Sequence, residues 1–210
     1  MRGPDTDFEY ERRFFVANFP KELIGDSKPN LIVQTYFLAS QGYGLRIRLQ
    51  ATAHDGLLDQ TLDGKAAIEA HLDDFDLCVL AAKGPYIGGT RYEAERELDV
   101  NVGAQMCLRG GTTLVKLRYG VWFGEDGWVI DQFGGDNHPL IIAECERMSP
   151  VVDLDIPWFC TEEVTSDHRF SNDELTNNPF GNWGATFLQD SATRQPRFNR
   201  GFGTNRTASH

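Results

Sequence analysis

The sequence has few of the features that mark membrane, secreted or zinc-binding proteins. Its longest apolar run, residues 77 to 82, is far shorter than the roughly 20 residues that a transmembrane helix needs. The N-terminal segment MRGPDTDFEYERR has no apolar core of the kind found in signal peptides. The four cysteines form no CxxC or CxxxC pair, which argues against a zinc knuckle or a redox pair. We therefore expect a soluble cytoplasmic protein with buried thiols and no membrane partner.

The sequence also lacks an excess of positive charge and any histidine metal motif. Its net charge is −11, whereas binding to nucleic acid by counterion release needs a broad basic surface, so we expect no nucleic-acid partner. None of the five histidines falls in an HxxE or HExxH spacing, so none is predicted to bind a metal. The length of 210 residues suits one well-buried core. We predict one domain over residues 1–180 and a disordered Arg-, Gly- and Asn-rich tail over 181–210.

What the sequence does contain is a set of charged residues spaced two apart, with apolar residues between most of them. Because side chains alternate between the faces of a strand, these charges are predicted to share one face of a sheet. A solvated sheet face would carry more hydroxyl groups. The carboxylates of the set are Glu9, Glu11, Glu93, Glu95, Asp131, Glu144 and Glu146. Its cations are Arg13, Arg46, Arg48, Lys83, Arg91, Lys116 and Arg118.

This mixture of charges indicates a ligand with both a metal and a phosphate component. Carboxylates bind hard cations such as Mg²⁺ or Mn²⁺, and Arg and Lys bind phosphate oxygens. The competing interpretation is that the cations only form salt bridges with the acids. A dry interior of such pairs would hardly stabilise the fold, because removing each ion from water costs several kcal/mol, on the order of what pairing returns. The two interpretations are compatible, and the pattern predicts a site for a metal–polyphosphate complex.

The alternating segments predict a strand-rich protein with few helices. We predict strands at residues 8–16, 31–39, 44–50, 77–83, 90–98, 114–123, 127–133 and 140–147, with a turn at Gly84-Pro85. Helices are predicted near 63–72, at 104–108 and at 173–177, the last as the final ordered element. So many strands with one polar face favour a closed or nearly closed barrel with a polar interior.

The charged segments resemble the CYTH family, also called the triphosphate tunnel metalloenzymes. The stretch Glu9-Tyr10-Glu11-Arg12-Arg13 matches the opening ExExK motif of that family, except that Arg13 stands in place of Lys. The resemblance continues in the order of the family over roughly residues 8–180. It runs through residues 34–38, 46–48, 83–85, 90–95, 116–119, 128–131, 143–146 and 163–172.

The resemblance implies an α+β fold: an eight-stranded antiparallel closed β-barrel, or tunnel, with peripheral helices and a C-terminal plug helix. It implies divalent-metal-dependent hydrolysis of a linear triphosphate, above all inorganic tripolyphosphate to pyrophosphate and phosphate. The alternatives are a thiamine or nucleoside triphosphatase, a class IV-type adenylyl cyclase, or a non-catalytic polyphosphate-binding module. Many members of the family dimerise, so a homodimer is compatible with the resemblance.

The resemblance also implies roles for individual residues. Catalytic roles fall to Glu9, Glu11, Arg13 and Lys83. The phosphate-binding residues would be Arg13, Arg46, Arg48, Lys83, Arg91, Lys116, Arg118 and Arg169, although Arg169 has the equal alternative of capping a surface helix. One or two Mg²⁺ or Mn²⁺ ions would be held by Glu9, Glu11, Glu93, Glu95, Asp131, Glu144 and Glu146.

Overall fold

The structure, a computed structural model, describes residues 10–54, 62–87 and 90–207, with residues 86, 87, 90 and 91 described by their backbone alone. Its main feature is a nine-stranded antiparallel sheet. A separate two-stranded parallel pair joins β9 to β11. In chain order the strands are β1 (Tyr10–Val16), β2 (Asn30–Ser40), β3 (Tyr43–Ala51), β4 (Leu77–Ile87), β5 (Thr90–Glu97), β6 (Thr112–Phe123), β7 (Asp126–Phe133), β8 (Ile141–Arg147), β9 (Asp155–Ile156), β10 (Cys160–Glu163) and β11 (Arg206–Thr207).

Short helices connect and cover the strands, and most begin at side chains suited to a helix start. Asp63, Asp99 and Ser171 each accept a hydrogen bond from a backbone N–H of the first turn of the helix that follows. No helix in the described ranges is long and apolar enough to cross a membrane. The helices are α1 (Lys21–Ile24), α2 (Gly64–Ala70), α3 (Val100–Arg109), α4 (Asn172–Asn177) and α5 (Gly184–Ala192).

The strand order is β10-β1-β8-β7-β6-β2-β3-β4-β5, so β10 and β5 are the two ends of the sheet. In the described part of the chain these end strands do not pair with each other. The prediction of eight strands closed into a barrel is therefore not confirmed. The ninth strand is the short β10, which pairs with β1 through residues that the alternation pattern did not identify. Alternation shows that one face is polar, but it carries no information on whether the end strands meet.

The apolar face of the sheet is covered in two places. Helices α2 and α3 pack Ile68, Ala104 and Cys107 onto apolar side chains of β2, β3, β4 and β6. The segment around β9 covers β1, β7 and β8, where Trp128 and Leu154 are buried. Because the charged side chains point the other way, the two clusters hold the sheet together without occupying its charged face.

The charged face ends in a third apolar cluster, which the C-terminal part of the chain covers. Phe15 lies on the same face as Glu11 and Arg13, and Leu114 on the same face as Lys116 and Arg118, but each is near one end of its strand. They pack against Phe170, Phe180 and Phe187, which come from the segment that contains α4 and α5. This end of the charged face is therefore closed to solvent by the chain itself.

Part of the segment 181–210, for which a disordered tail is predicted, forms α5 and β11 in the described residues. Phe187 of α5 packs edge-on against Phe15, with ring centroids 4.9 Å apart. Further along, Arg12 binds Glu163 and also donates to Asn205 at 2.8 Å. The polar composition of the tail hid these few anchoring residues, whose apolar and charged partners lie far away in the sequence.

The strands and helices that were predicted are present in the structure, with differences at a few boundaries. Residues 84 and 85 do not turn the chain but lie within β4, where the register shifts between Lys83 and Tyr86. A bulge tolerates Pro85, which has no N–H to donate to the ladder. Helix α3 is longer than predicted because Asp99 caps it earlier. Residues 8 and 9 of the first predicted strand lie outside the described residues.

Candidate active site

The charged face carries two groups of interacting side chains, each contributed by three strands. We call the first the β3–β5 cluster, and it is defined by Arg46, Arg48, Lys83, Glu93 and Glu95. We call the second the β6–β8 cluster, and it is defined by Lys116, Arg118, Asp131 and Glu144. The antiparallel register brings these residues together, since β3, β4 and β5 are neighbours and so are β6, β7 and β8.

In the β3–β5 cluster, two carboxylates form ion pairs with three cations. Lys83 Nζ lies 2.9 Å from Glu93 Oε1, and Arg46 Nη2 lies 3.5 Å from the same oxygen. Glu95 Oε1 is 3.8 Å from Arg46 Nη2 and 3.9 Å from Arg48 Nη2. Most of these contacts are long for hydrogen bonds, so the cluster retains positive charge that its own acids do not fully offset.

The β6–β8 cluster centres on Asp131, which is fully buried. Its Oδ2 accepts from Lys116 Nζ at 2.5 Å, and its two oxygens accept from Arg118 at 2.6 Å each. Arg118 Nη2 also donates to Glu144 at 2.8 Å. Burial would raise the pKa of Asp131, but Arg118 and Lys116 together lower it below its usual value. Asp131 therefore stays ionised and holds two cations in place.

The two clusters lie close enough to affect each other, and the result is a shortage of negative charge. Burial and the neighbouring cations Arg46 and Arg118 lower the pKa of Arg48. The Nε atoms of Arg46 and Arg48 are buried and make no hydrogen bond within the described part of the chain. Buried donors without acceptors are costly, so this arrangement fits an anion bound between the clusters.

Carboxylates gather on the neighbouring strands β1 and β8. Glu11 lies directly opposite Glu146 in this ladder, and Arg13 lies opposite Glu144. Like charges at opposed positions repel, and a bound cation relieves the repulsion. Carboxylate oxygens such as those of Glu11, Glu144 and Glu146 are the ligands that Mg²⁺ or Mn²⁺ prefers, but in the described residues the three do not converge closely enough to surround one ion. Asp131 fits that task less well, because Lys116 and Arg118 already occupy both of its oxygens.

Arg13, which stands where the resembled family has Lys, is held largely by the C-terminal segment. Its Nη1 donates to the carbonyl of Phe170 at 3.2 Å, and its Nη2 to that of Thr165 at 3.4 Å. Its Nε lies 3.4 Å from Glu11 Oε1. A cleft of about 390 Å³ adjoins this region and includes Glu11, Arg13 and Ser166. Arg13 thus links the carboxylate edge to the segment that covers the end of the charged face.

The structure does not bring every predicted phosphate-binding residue to the accessible part of the site. Lys116 is fully buried, and besides Asp131 it contacts Asn172 Oδ1 at 3.2 Å. Arg169 pairs with Asp167 on its own turn and lies 4.7 Å from the ring of Trp183, which favours its surface alternative. Glu9 lies outside the described residues, and so does the side chain of Arg91.

Sequence reasoning missed several side chains that support the site. Tyr36 is buried, and its interaction with Arg46 helps to raise the pKa of that arginine against the lowering effect of burial. Thr165 Oγ1 accepts from the backbone N–H of Arg13 at 3.0 Å. Asn172, at the start of α4, reaches Lys116. Tyr36, Thr165 and Asn172 are uncharged, so the pattern of alternating charges does not identify them. All three nevertheless lie in stretches that carry the family resemblance.

Comparison with known proteins gives both sequence and structural relatives. No protein-family model matches the chain. The chain is similar to an inorganic triphosphatase from Acetivibrio thermocellus, with 34% identity over 106 residues that cover 50% of this chain and 68% of the relative. The crystal structure of the inorganic triphosphatase NE1496 is 24% identical with a TM-score of 0.52, covering 80% of this chain and 93% of NE1496. A second structure, of the hypothetical protein NE1496, gives 25% identity and a TM-score of 0.52, covering 80% and 97% of the two chains.

The similarity to these structures identifies the fold of the chain. A mostly antiparallel sheet with a charged face and peripheral helices is a triphosphatase-like fold. The chain belongs to the inorganic triphosphatase group of the CYTH, or triphosphate tunnel metalloenzyme, family, and the resemblance stated from its sequence is confirmed.

Proposed function

We propose that the protein is an enzyme that hydrolyses a linear triphosphate and that its preferred substrate is inorganic tripolyphosphate. The observation that carries this proposal is the environment of Arg48, whose pKa is lowered by burial and by Arg46 and Arg118, and whose Nε, like that of Arg46, is buried without an acceptor in the described residues. A chain of phosphates offers several oxygens to such a group at once. The inorganic triphosphatase from Acetivibrio thermocellus supports the same reaction.

In this proposal, Arg46, Arg48, Lys83 and Arg118 bind the phosphate oxygens and stabilise the charge that develops on them. Water attacks the terminal phosphorus, the bond to the bridging oxygen breaks, and phosphate and pyrophosphate leave. Positioning and electrostatics supply most of the catalysis in phosphoryl transfer, so no covalent intermediate is needed. Asp131 acts as a positioning residue, because it holds Arg118 from a buried location, and Lys116 in turn pairs with Asp131.

The remaining carboxylates divide into two tasks. Glu11, Glu144 and Glu146, together with Glu9, would hold one or two Mg²⁺ or Mn²⁺ ions. When bound there, such an ion would offset phosphate charge and make a water molecule more acidic. Glu93 and Glu95 orient Arg46, Arg48 and Lys83. We further propose that substrate binding completes a tunnel along the charged face, and that the substrate is a small polyphosphate and not a nucleic acid.

The test is phosphate release from tripolyphosphate, ATP and thiamine triphosphate, each in Mg²⁺, Mn²⁺ and EDTA. We expect metal-dependent cleavage of tripolyphosphate well above the other two substrates. Preference for thiamine triphosphate or ATP would assign the site to a different triphosphatase, and cyclic AMP formed from ATP would identify an adenylyl cyclase. Binding of tripolyphosphate by the folded protein without any turnover would replace the enzyme proposal with a polyphosphate-binding module.

A further inference from the structure

Three side chains of types that bind metal ions converge outside the two charged clusters of the sheet. His54 follows the end of β3, His71 follows α2, and Asp74 ends the short 3₁₀ turn after it. His54 Nε2 lies 3.3 Å from His71 Nδ1, and His71 Nδ1 lies 3.0 Å from Asp74 Oδ2. The third side of this triangle, from His54 Nε2 to Asp74 Oδ2, is 3.6 Å. The three atoms therefore surround a common point.

The three side chains can bind one another by hydrogen bonds or bind a cation, depending on where the imidazole protons lie. With a proton on His71 Nδ1, Asp74 Oδ2 accepts from it at 3.0 Å, whereas the 3.6 Å from His54 Nε2 to the same oxygen is long for a hydrogen bond. With no proton on His71 Nδ1 or His54 Nε2, the three atoms each offer a lone pair to a cation.

The distances also suit one kind of metal coordination. With metal–ligand bonds of about 2.0–2.1 Å, the ligand atoms of a tetrahedral site lie roughly 3.3 Å apart. The observed separations of 3.3, 3.0 and 3.6 Å lie around that value. Imidazole nitrogens favour Zn²⁺ and its transition-metal neighbours over Mg²⁺ or Ca²⁺. Two histidines and one carboxylate leave a fourth position for water.

The surroundings hold the ligands in place and leave a way in from solvent. The side chain of His54 is only 6% exposed, and its backbone N–H donates to the carbonyl of Pro29 at 2.7 Å. The rings of His54 and His71 meet edge to face, with centroids 4.8 Å apart. Asp74 is 53% exposed, which gives a cation access to the site. Little rearrangement is needed to bind it.

The position of the triad separates it from the proposed active site. Ile68 of α2 and Phe75, the residue after Asp74, belong to the apolar cluster on the outer face of the sheet. The charged clusters lie on the opposite face. We propose that His54, His71 and Asp74 form a second metal site, specific for Zn²⁺ or a similar transition-metal ion, that ties the end of β3 to the turn after α2.

The test is Zn²⁺ binding by the untagged full-length chain, measured by calorimetry after treatment with a chelator and dialysis. Excess Mg²⁺ is present throughout, so that oxygen-ligand sites on the charged face are already filled. The variants are His71→Asn and Asp74→Asn, with His168→Asn as a matched control at a highly exposed histidine. Circular dichroism verifies that each variant is folded. Replacing Zn²⁺ with Co²⁺ adds a visible spectrum that reports nitrogen ligands and coordination number.

We expect a single tight Zn²⁺ equivalent in the parent chain and in His168→Asn, with a rise in melting temperature that Mg²⁺ does not produce. In His71→Asn and Asp74→Asn the affinity falls by at least about tenfold, since even second-shell changes at zinc sites cost 10–100-fold. Bound Co²⁺ should show the strong bands of a four-coordinate site. Equal Zn²⁺ affinity in all variants, or no Zn²⁺ uptake by the folded parent chain in Mg²⁺, would overturn the proposal. If a variant unfolds, a six-coordinate Co²⁺ spectrum in the parent chain would overturn it as well.

Discussion

Glu11 on β1 and Glu146 on β8 lie directly opposite each other in an antiparallel ladder. Two carboxylates in such positions repel, and the repulsion lowers the stability of the protein when no cation lies nearby. The neighbouring pair is Arg13 and Glu144, so the carboxylates outnumber the cations along this part of the ladder. If Glu11 and Glu146 hold a divalent ion as proposed, this arrangement lowers stability in the absence of the ion, and the difference can be measured.

Replacing one carboxylate of this pair separates its effect on catalysis from its effect on stability. We expect Glu11→Gln to reduce turnover of tripolyphosphate by about 100-fold or more, because both metal binding and charge compensation weaken. In EDTA, its melting temperature should equal or exceed that of the parent, since the repulsion from Glu146 is removed and the long, partly exposed contact with Arg13 at 3.4 Å contributes little. The control is Glu69→Gln on α2, an exposed residue away from the charged face. A large loss of stability in Glu11→Gln would assign Glu11 a structural role instead.

Arg48 offers the corresponding test for the cations. Because burial, Arg46 and Arg118 all disfavour its charge, Arg48→Ala should leave the melting temperature unchanged or higher in the absence of substrate. We expect kcat/KM for tripolyphosphate to fall by about 100-fold or more. The matched control is Arg96→Ala, an exposed arginine on the opposite face of β5. Equal activity in both variants would contradict a phosphate-binding role for Arg48.

Asp131 should behave in the opposite way, because its charge supports the fold. Asp131→Asn leaves Lys116 and Arg118 without their buried counter-charge, and we expect the free energy of unfolding to fall by about 3–5 kcal/mol. Urea denaturation measures this change. Asp155→Asn removes the acid of an exposed pair with Arg206 and should alter stability little. A folded Asp131→Asn protein of parental stability would show that Asp131 is not needed to hold the two cations.

The C-terminal segment can be tested through adjacent residues of α5. Phe187 is 7% exposed and packs on Phe15 and Phe170, whereas Leu188 is 37% exposed. Phe187→Ala should lower the free energy of unfolding by about 3–5 kcal/mol, as expected for a buried aromatic side chain. Leu188→Ala should cost much less. Equally small effects at both positions would indicate that the segment does not pack on the sheet.

The buried thiols give a prediction that depends on pKa. Burial raises the pKa of Cys78 and of Cys145 to about 11, from an ordinary value of 9.0. At pH 8 the thiolate is then roughly one part in a thousand, against about one part in ten at the ordinary value. We expect the native protein to resist iodoacetamide under conditions that alkylate the guanidinium-unfolded chain completely. Intact mass spectrometry measures the difference, and rapid labelling of native Cys78 or Cys145 would contradict it.

The charged face was predictable because it depends on a local property of strands. Residues two apart point to the same side, so the alternation at Arg46 and Arg48, or at Glu93 and Glu95, identified a shared face without knowledge of the strand order. The helix at α2 was equally accessible, since Asp63 is a local capping signal. The bulge at residues 84 and 85 could not be predicted, because a Gly-Pro pair is found in turns and in bulges alike.

The sequence by itself determined which side chains face which side of the sheet, and the ordered motifs that carry the family resemblance. Only the tertiary structure decided which acid meets which cation. It pairs Asp131 with Lys116 and Arg118, and it leaves the buried Nε atoms of Arg46 and Arg48 without an acceptor among the residues that the structure describes. It also decided that the polar tail packs on the sheet and that His54 meets His71 and Asp74. The side of the sheet to which a side chain points is set within one strand by backbone geometry. The residues that it contacts are set by register and strand order, which bring together residues far apart in the chain.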